Sequence, residues 1–312
     1  MKGNGMDVAI VKSLPDLTRA PVGDTPADIL SFAVGAWHQG KRVALATLVD
    51  IRGGAARALG AHVAISGDGR FCGYVSGGCV EAAVAAEALQ AMEEGRDRIA
   101  HFGDGSPFFD IVLPCGGGIS VAIHVVRDVA PLEAVLGRLE AREAAGLRYC
   151  HERQSLAIAE VPSRPGPQGA DFLTVYRPLT RVVISGRGAE AEAVARMAAA
   201  SGWVVERTDD ARFTKSVPLD GFTACVLLHH DLDAEQGMLD IALRSPSFYI
   251  GALGSTRTHR RREEMLWAAG HSKADIARIK APIGMFGPTR DAQSLAISVV
   301  ADIAACRLAT SG

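Results

Sequence analysis

Val182-Val183-Ile184-Ser185-Gly186-Arg187-Gly188-Ala189-Glu190-Ala191 reads as a buried strand, a glycine turn and the first turn of a helix. The glycines follow the pattern GxGxxA in the context that pattern requires, with a strand before and a helix after. Glycine permits the tight turn and lets a pyrophosphate approach the helix N-terminus. The next predicted strand, 203–208, ends at Asp209 and Asp210, about 20 residues on, where a ribose-binding carboxylate belongs. Two readings stay open here: a nucleotide or dinucleotide site, or a turn that only packs its helix. Working outward, predicted strands at 222–229 and 248–250 alternate with predicted helices at 189–200, 234–243, 257–269, 272–279 and 291–308. That alternation predicts a doubly wound parallel sheet over 180–312.

Two further stretches of this half end predicted strands. Gly251-Ala252-Leu253-Gly254-Ser255-Thr256-Arg257-Thr258-His259 opens a helix, so Gly254 and Ser255 form an anion site by geometry, with Arg257 and His259 able to add charge-assisted bonds. The plainer reading is a solvated basic face with Ser255 or Thr256 as N-cap; either way Arg261 and Arg262 are expected at the surface. His229-His230-Asp231 offers a His–Asp pair for acid–base work or a metal, and equally a structural histidine.

The N-terminal half carries a different signature. Val75-Ser76-Gly77-Gly78-Cys79-Val80-Glu81 is answered by Leu113-Pro114-Cys115-Gly116-Gly117-Gly118, each setting a cysteine beside consecutive glycines. Glycine lets backbone N–H groups approach a ligand, and a thiol at a helix start is biased toward thiolate. Cys79 and Cys115 are therefore the candidate functional thiols, with Ser76, Gly77, Gly78, Gly116 and Gly117 around an anionic ligand. The default for Cys72, Cys150, Cys225 and Cys306 is a small buried hydrophobe. Arg52 and Arg57 are the local cations, or ordinary loop arginines. A predicted helix from Pro26, strands at 43–49, 61–66, 71–75 and 119–126 and a helix at 80–94 make 24–128 an α+β domain. A predicted helix at 128–145 and a proline-marked strand pair make 129–179 a connector.

The chain has 312 residues, 48% hydrophobic and 22% charged, with net charge −2. That length suits two domains, and that charge gives no case for nucleic acid or an anionic membrane. Six scattered cysteines without a CxxC pair read as reduced thiols of a cytoplasmic protein. The most apolar stretch, 295–305, is broken by Asp302, so no membrane span is expected.

Taken together, these motifs resemble the XdhC/CoxI family, accessory proteins of xanthine dehydrogenase and related molybdenum hydroxylases. The resemblance runs from about residue 25 onward. It rests on Ala46-Thr47-Leu48-Val49 with Arg57 and Gly60, on the two cysteine loops with Ser106-Pro107, and on Tyr176-x-Pro178 and Gly186-x-Gly188. Further on it rests on His230-Asp231, Tyr249-Ile250-Gly251-Ala252-Leu253-Gly254-Ser255 with Thr258-His259, and Ala281-Pro282-Ile283-Gly284. It implies a Rossmann-like C-terminal domain and a chaperone that binds molybdenum cofactor (molybdopterin), supports exchange of an oxo for a sulfido ligand at molybdenum, and delivers the product.

By the same resemblance Cys79 and Cys115 sit at the molybdenum end and Arg57 near the pterin or phosphate. The Gly186–Gly188 and Gly254–Ser255 loops contribute from the Rossmann side, where Asp210, His230, Arg257 and His259 join the candidate cofactor-binding set. The implied partners are a xanthine dehydrogenase-type hydroxylase, a cysteine desulfurase and a second copy of the chain. Met285-Phe286-Gly287-Pro288 departs from the family's usual sequence and leaves a carbon monoxide dehydrogenase-like or aldehyde oxidoreductase-like client open. Two readings from other classes stand beside this one. The first is a nicotinamide-dependent oxidoreductase using the Gly186–Gly188 loop; the second is a scaffold that bridges desulfurase and hydroxylase without holding cofactor.

Overall fold

Thr25 caps the first helix, α1 (Pro26–His38), by a reciprocal pair of bonds: its hydroxyl accepts from the Asp28 amide, and the Asp28 carboxylate accepts from the Thr25 amide. Two orphan donors are satisfied at once, with Pro26 at the first turn. Ile29, Leu30, Ala33 and Ala36 on one stripe of this helix are buried. The structure, a computed structural model, describes residues 15–103, 116–208 and 218–311. Its contacts divide the chain into two units, with the division between Tyr176 and Arg177.

In the first unit a six-stranded sheet runs in the order β1 (Thr18–Arg19), β4 (Arg70–Gly73), β3 (His62–Ser66), β2 (Val43–Arg52), β6 (Gly118–Val125), β5 (Arg98–Gly103). All pairs are antiparallel except β1 with β4. The central strand β2 alternates its buried side chains between two cores. Ala44, Ala46 and Leu48 pack with α2 (Glu81–Glu94) on one face, while Val43 and Leu45 pack with α1 and α3 (Ala130–Glu140) on the other. Burying a leucine such as Leu45 or Leu48 fully contributes roughly 1.5–3 kcal/mol. Gly95, at φ 68°, closes α2 in the left-handed conformation. β2 runs three residues beyond its predicted end, past a register shift between Leu48 and Asp50, and this extension carries Asp50 and Arg52 to the sheet's end.

The stretch read as a connector has more structure than that. α3 stops at Glu140, short of the predicted 145, because the chain turns through Arg142 at φ 59°. An antiparallel sheet then forms in the order β8 (Ser155–Ala159), β7 (Ala145–Cys150), β10 (Asp171–Tyr176), β9 (Gly166–Gln168). Ala145, Leu147 and Tyr176 join the α1–α3 core, so these strands group with the N-terminal unit.

The second unit is a five-stranded parallel sheet ordered β12 (Val204–Thr208), β11 (Arg181–Ser185), β13 (Thr223–Leu227), β14 (Tyr249–Ala252), β15 (Ile279–Lys280). α4 (Ala189–Ala200) and α8 (Ala292–Ser311) pack on one face; α5 (Leu232–Leu243) and α6 (Thr256–Ala268) pack on the other. The strand order reverses between β11 and β13, the switch point at which open α/β sheets hold ligands. The helix predicted over 272–279 is a single turn, α7 (Lys273–Ile276); Ile279 and Lys280 instead pair with β14.

Asp302 does not interrupt α8. The helix is long and apolar enough to cross a membrane by length and composition, against the expectation drawn from 295–305. Leu295, Ala296, Val299 and Ile303 are buried in the core of this unit, and the Asp302 carboxylate accepts from Tyr249 Oη at 2.9 Å and Lys280 Nζ at 2.7 Å.

Candidate functional site

The loop that joins β4 to α2 is organised by a carboxylate of its own chain. Glu81, the first residue of α2 and 3% exposed, turns its side chain back into the glycine loop. Its Oε1 accepts from the amides of Val75 (3.0 Å), Ser76 (2.8 Å) and Gly77 (3.2 Å), and its Oε2 from Gly78 (2.9 Å) and Val80 (3.2 Å). The Ser76 hydroxyl donates to the same carboxylate and accepts from the amides of Cys79 (3.1 Å) and Val80 (3.2 Å). Every amide from Val75 to Val80 is thereby committed within the loop. The amides of Ser76, Gly77 and Gly78, expected to face a ligand, face Glu81. Burial raises the Glu81 carboxyl, but the donors from Ser76 and Val75 outweigh it and hold the group below the usual carboxylate range. Gly77 and Gly78 have φ of 93° and 123°, which lets successive N–H groups converge on one anion. Cys79 stands in this loop with its thiol exposed and in no disulfide among the described residues.

Two other segments reach the same end of the sheet. β2 and β6 pair as far as Arg52 and Gly118, which sets the loop after β2 against the glycines before β6. A Cβ on Gly117 would lie 2.5 Å from the carbonyl oxygens of both Arg52 and Gly54, so only glycine fits there. A Cβ on Gly77 would lie 3.6 Å from that of Ala56. The Arg52–Arg57 loop therefore touches both Gly117 and the cysteine loop, and the sequence-predicted Arg57, Cys79, Gly116 and Gly117 come from neighbouring loops. Arg57 donates to Asp24 at 3.3 Å and stands 5.2 Å from the centre of the Tyr74 ring. Cys115 lies outside the described residues, as do Ser106 and Pro107.

Beside these loops runs a polar row that joins Arg52 to three residues sequence reading did not single out. His101 and Asp50 both face Ser120 across paired strands. Ser120 Oγ lies 2.9 Å from His101 Nδ1, donates to Asp50 at 3.4 Å and accepts from Arg52 at 3.4 Å. These residues are distant in sequence and share a face only through strand register.

In the second unit, Gly186 has φ 141°, and a Cβ there would lie 2.7 Å from the Leu228 carbonyl oxygen. The glycine thus lets the turn after β11 press on the end of β13 at the switch point. His229, rather than His230, faces inward: its Nε2 lies 2.8 Å from the buried Ser185 Oγ, while His230 is exposed. Asp231 is the N-cap of α5 and accepts from the Asp233 amide at 3.1 Å. Gly188 is the N-cap of α4, whose first turn holds Glu190 and Glu192. Two carboxylates there work against a phosphate. Asp209 and Asp210 lie outside the described residues.

Ser255 is the N-cap of α6, its hydroxyl accepting from the Thr258 amide at 3.2 Å. Gly254 (φ 129°) precedes it and Arg257 is exposed. Arg262, expected at the surface, is 2% exposed. It forms a two-point ion pair with the buried Glu235, donates to the Leu253 carbonyl at 2.7 Å and so ties α6 to α5 and to the loop after β14. Its position four residues before the buried Leu266 was the available signal. His259 is lowered by burial and lies 3.5 Å from Arg262 Nη1.

Known proteins share both units. Residues 36–103 match the family model described as the XdhC and CoxI family, and residues 182–303 match the XdhC Rossmann domain. The chain is 49% identical over 285 residues to the molybdenum cofactor insertion chaperone PaoD of Escherichia coli strain K12, covering 91% of this chain and 90% of that one. It is 28% identical over 267 residues to the uncharacterized protein YqeB of the same organism, of which it spans 42%. In fold it is similar to a crystal structure described as a xanthine dehydrogenase from Bacillus halodurans. There the TM-score is 0.70 at 18% identity, over 90% of this chain and 96% of that one. Two domain models in the family's order, and near-half identity along almost the full length of a relative, establish that this chain belongs to the XdhC and CoxI family.

Proposed function

We propose that this protein is a molybdenum cofactor insertion chaperone. It holds the cofactor as cargo, supports its sulfuration, and delivers it to a molybdenum hydroxylase of the xanthine dehydrogenase type. The carrying observation is the 49% identity, over nine-tenths of both chains, to a protein named for that task. The geometry of the first unit fits the cargo. An exposed thiol, Cys79, stands in a loop that its own hydrogen bonds fix, and the loop bearing Arg52 and Arg57 adjoins it. A thiolate suits a sulfur-ligated molybdenum centre, and arginines suit a phosphate. Cys115, in the partner glycine loop, is assigned to the same end of the cargo. The reading carries with it a cysteine desulfurase as sulfur source, a cytoplasmic site of action and a homodimer.

The test is to purify the protein from a cofactor-producing host and measure bound molybdenum and pterin, with Cys79→Ala and Cys115→Ala in parallel and folding checked. Near-stoichiometric pterin that falls in either variant is the expected result. Absence of pterin together with a tightly bound nicotinamide dinucleotide would overturn the reading in favour of an oxidoreductase. Full client activation by both variants would favour a scaffold.

A further inference from the structure

We infer that Glu81 sets the orientation of the cargo. By filling the amide nest of the 75–80 loop with a resident carboxylate, it closes that nest to the cargo's phosphate and leaves the exposed Cys79 thiol as the loop's contact for the cargo. The inference rests on the chaperone reading for the nature of the cargo, and on hydrogen-bond accounting for everything else.

A glycine-rich turn at a helix start ordinarily presents free N–H groups to a phosphate. Here five amides end on the Glu81 carboxylate and the sixth, from Cys79, ends on Ser76 Oγ, which is itself bonded to Glu81. No backbone amide from Val75 to Val80 is left over. A phosphate entering the nest must displace a carboxylate that is almost fully buried and held by charge-assisted bonds, and until it does so it meets a like charge at close range.

The neighbouring loop has the opposite character. Arg57 lies 3.3 Å from Asp24 and is about two-fifths exposed, while Arg52, at the start of the same loop, is bonded to Ser120 and lies 3.5 Å from Asp50. A solvent-exposed pair such as Arg57 with Asp24 holds only about 0–1 kcal/mol. The anionic end of the cargo is therefore directed to the Arg52–Arg57 loop, and its sulfur-ligated metal end to Cys79. Glu81 is a positioning residue in this scheme: it touches the loop and never the cargo.

The probe is inorganic phosphate, added to the cargo-free full chain and followed by the amide resonances of Ser76, Gly77 and Gly78. In the wild type these resonances stay in place while arginine side-chain resonances move. In Glu81→Ala, folded by circular dichroism, the nest is open and the three amides shift with phosphate. Should the alanine variant not fold, Glu81→Gln replaces it, since a neutral side chain yields to phosphate more easily than a carboxylate. Wild-type amides that respond to phosphate would overturn the inference without any variant. A folded Glu81 variant whose amides stay silent would overturn it equally, because Glu81 would then not be what closes the nest. Copurified pterin in the same variant is expected to fall about tenfold, the equivalent of roughly 1.4 kcal/mol. Failure of the chaperone reading is seen separately, as absence of pterin from the wild type.

Discussion

Two glycine turns in this chain look alike in sequence and differ in what holds them. Both leave a strand, both use glycines at positive φ, and both open a helix with a glutamate in its first turn. At Gly77–Gly78 the glutamate folds back and satisfies the loop's amides, so the turn is stabilised by a buried anion. At Gly186–Gly188 the shape comes from close backbone approach to Leu228, and glycine N-capping supplies no side-chain acceptor. The first turn thus depends on a charge, the second on the absence of a Cβ. A glycine signature specifies backbone freedom; the partner that uses the freedom is supplied by the rest of the fold.

The contrast is broken most directly at Glu81. Replacing it by alanine strands several buried amides and is expected to destabilise the first unit by about 3–4 kcal/mol, measured by urea unfolding with Trp37 as the reporter. A loss under ~1 kcal/mol would mean that the amides find other acceptors.

Acid attacks the same unit by another route. His62 lies on β3 beside β4, the strand that delivers the cysteine loop. It is buried between Thr47 Oγ1 at 3.0 Å and Tyr176 Oη at 2.6 Å, and burial lowers it from 6.5 to about 4. Because its folded value lies below its unfolded one, its contribution is complete above pH 6.5 and is lost as pH falls toward 4. That contribution amounts to about 3 kcal/mol. His62→Gln should flatten this dependence; parallel slopes for wild type and variant would exclude His62 as the source.

Gly186→Ala sharpens the contrast from the other side. The added Cβ meets a backbone carbonyl oxygen at 2.7 Å, and a cost of about 2 kcal/mol is expected in the second unit. Hydrogen exchange of β11 and β13 reads it out, with the first unit unchanged. The smallest effect belongs to Gly78→Ala, where a Cβ meets nothing within 4 Å and only φ 123° opposes it. About 1 kcal/mol is expected, and a much larger loss would reveal a steric role for that position.

Much of this was legible beforehand because it is local. The helix that starts at Pro26, the helix over 80–94, and the alternation of strands and helices after Arg181 all follow from spacing within a few residues. Where the chain was misread, a distant partner decided. Ile279 became a strand because β14 offered it an edge. Arg262 went inside because Glu235, on another helix, could neutralise it. His229 rather than His230 turned inward because Ser185 lies at the end of the adjacent strand.

The sequence by itself determined the family, the doubly wound sheet and the presence of two cysteine–glycine loops, since each depends on residue type and short-range order. Tertiary structure alone decided that the loop after β2 packs against Gly117 and the cysteine loop, because strand register, not spacing, brings those segments together. It also decided that the amides beside Cys79 belong to Glu81. Buried N–H groups must find an acceptor, and only the folded loop shows which acceptor lies within reach.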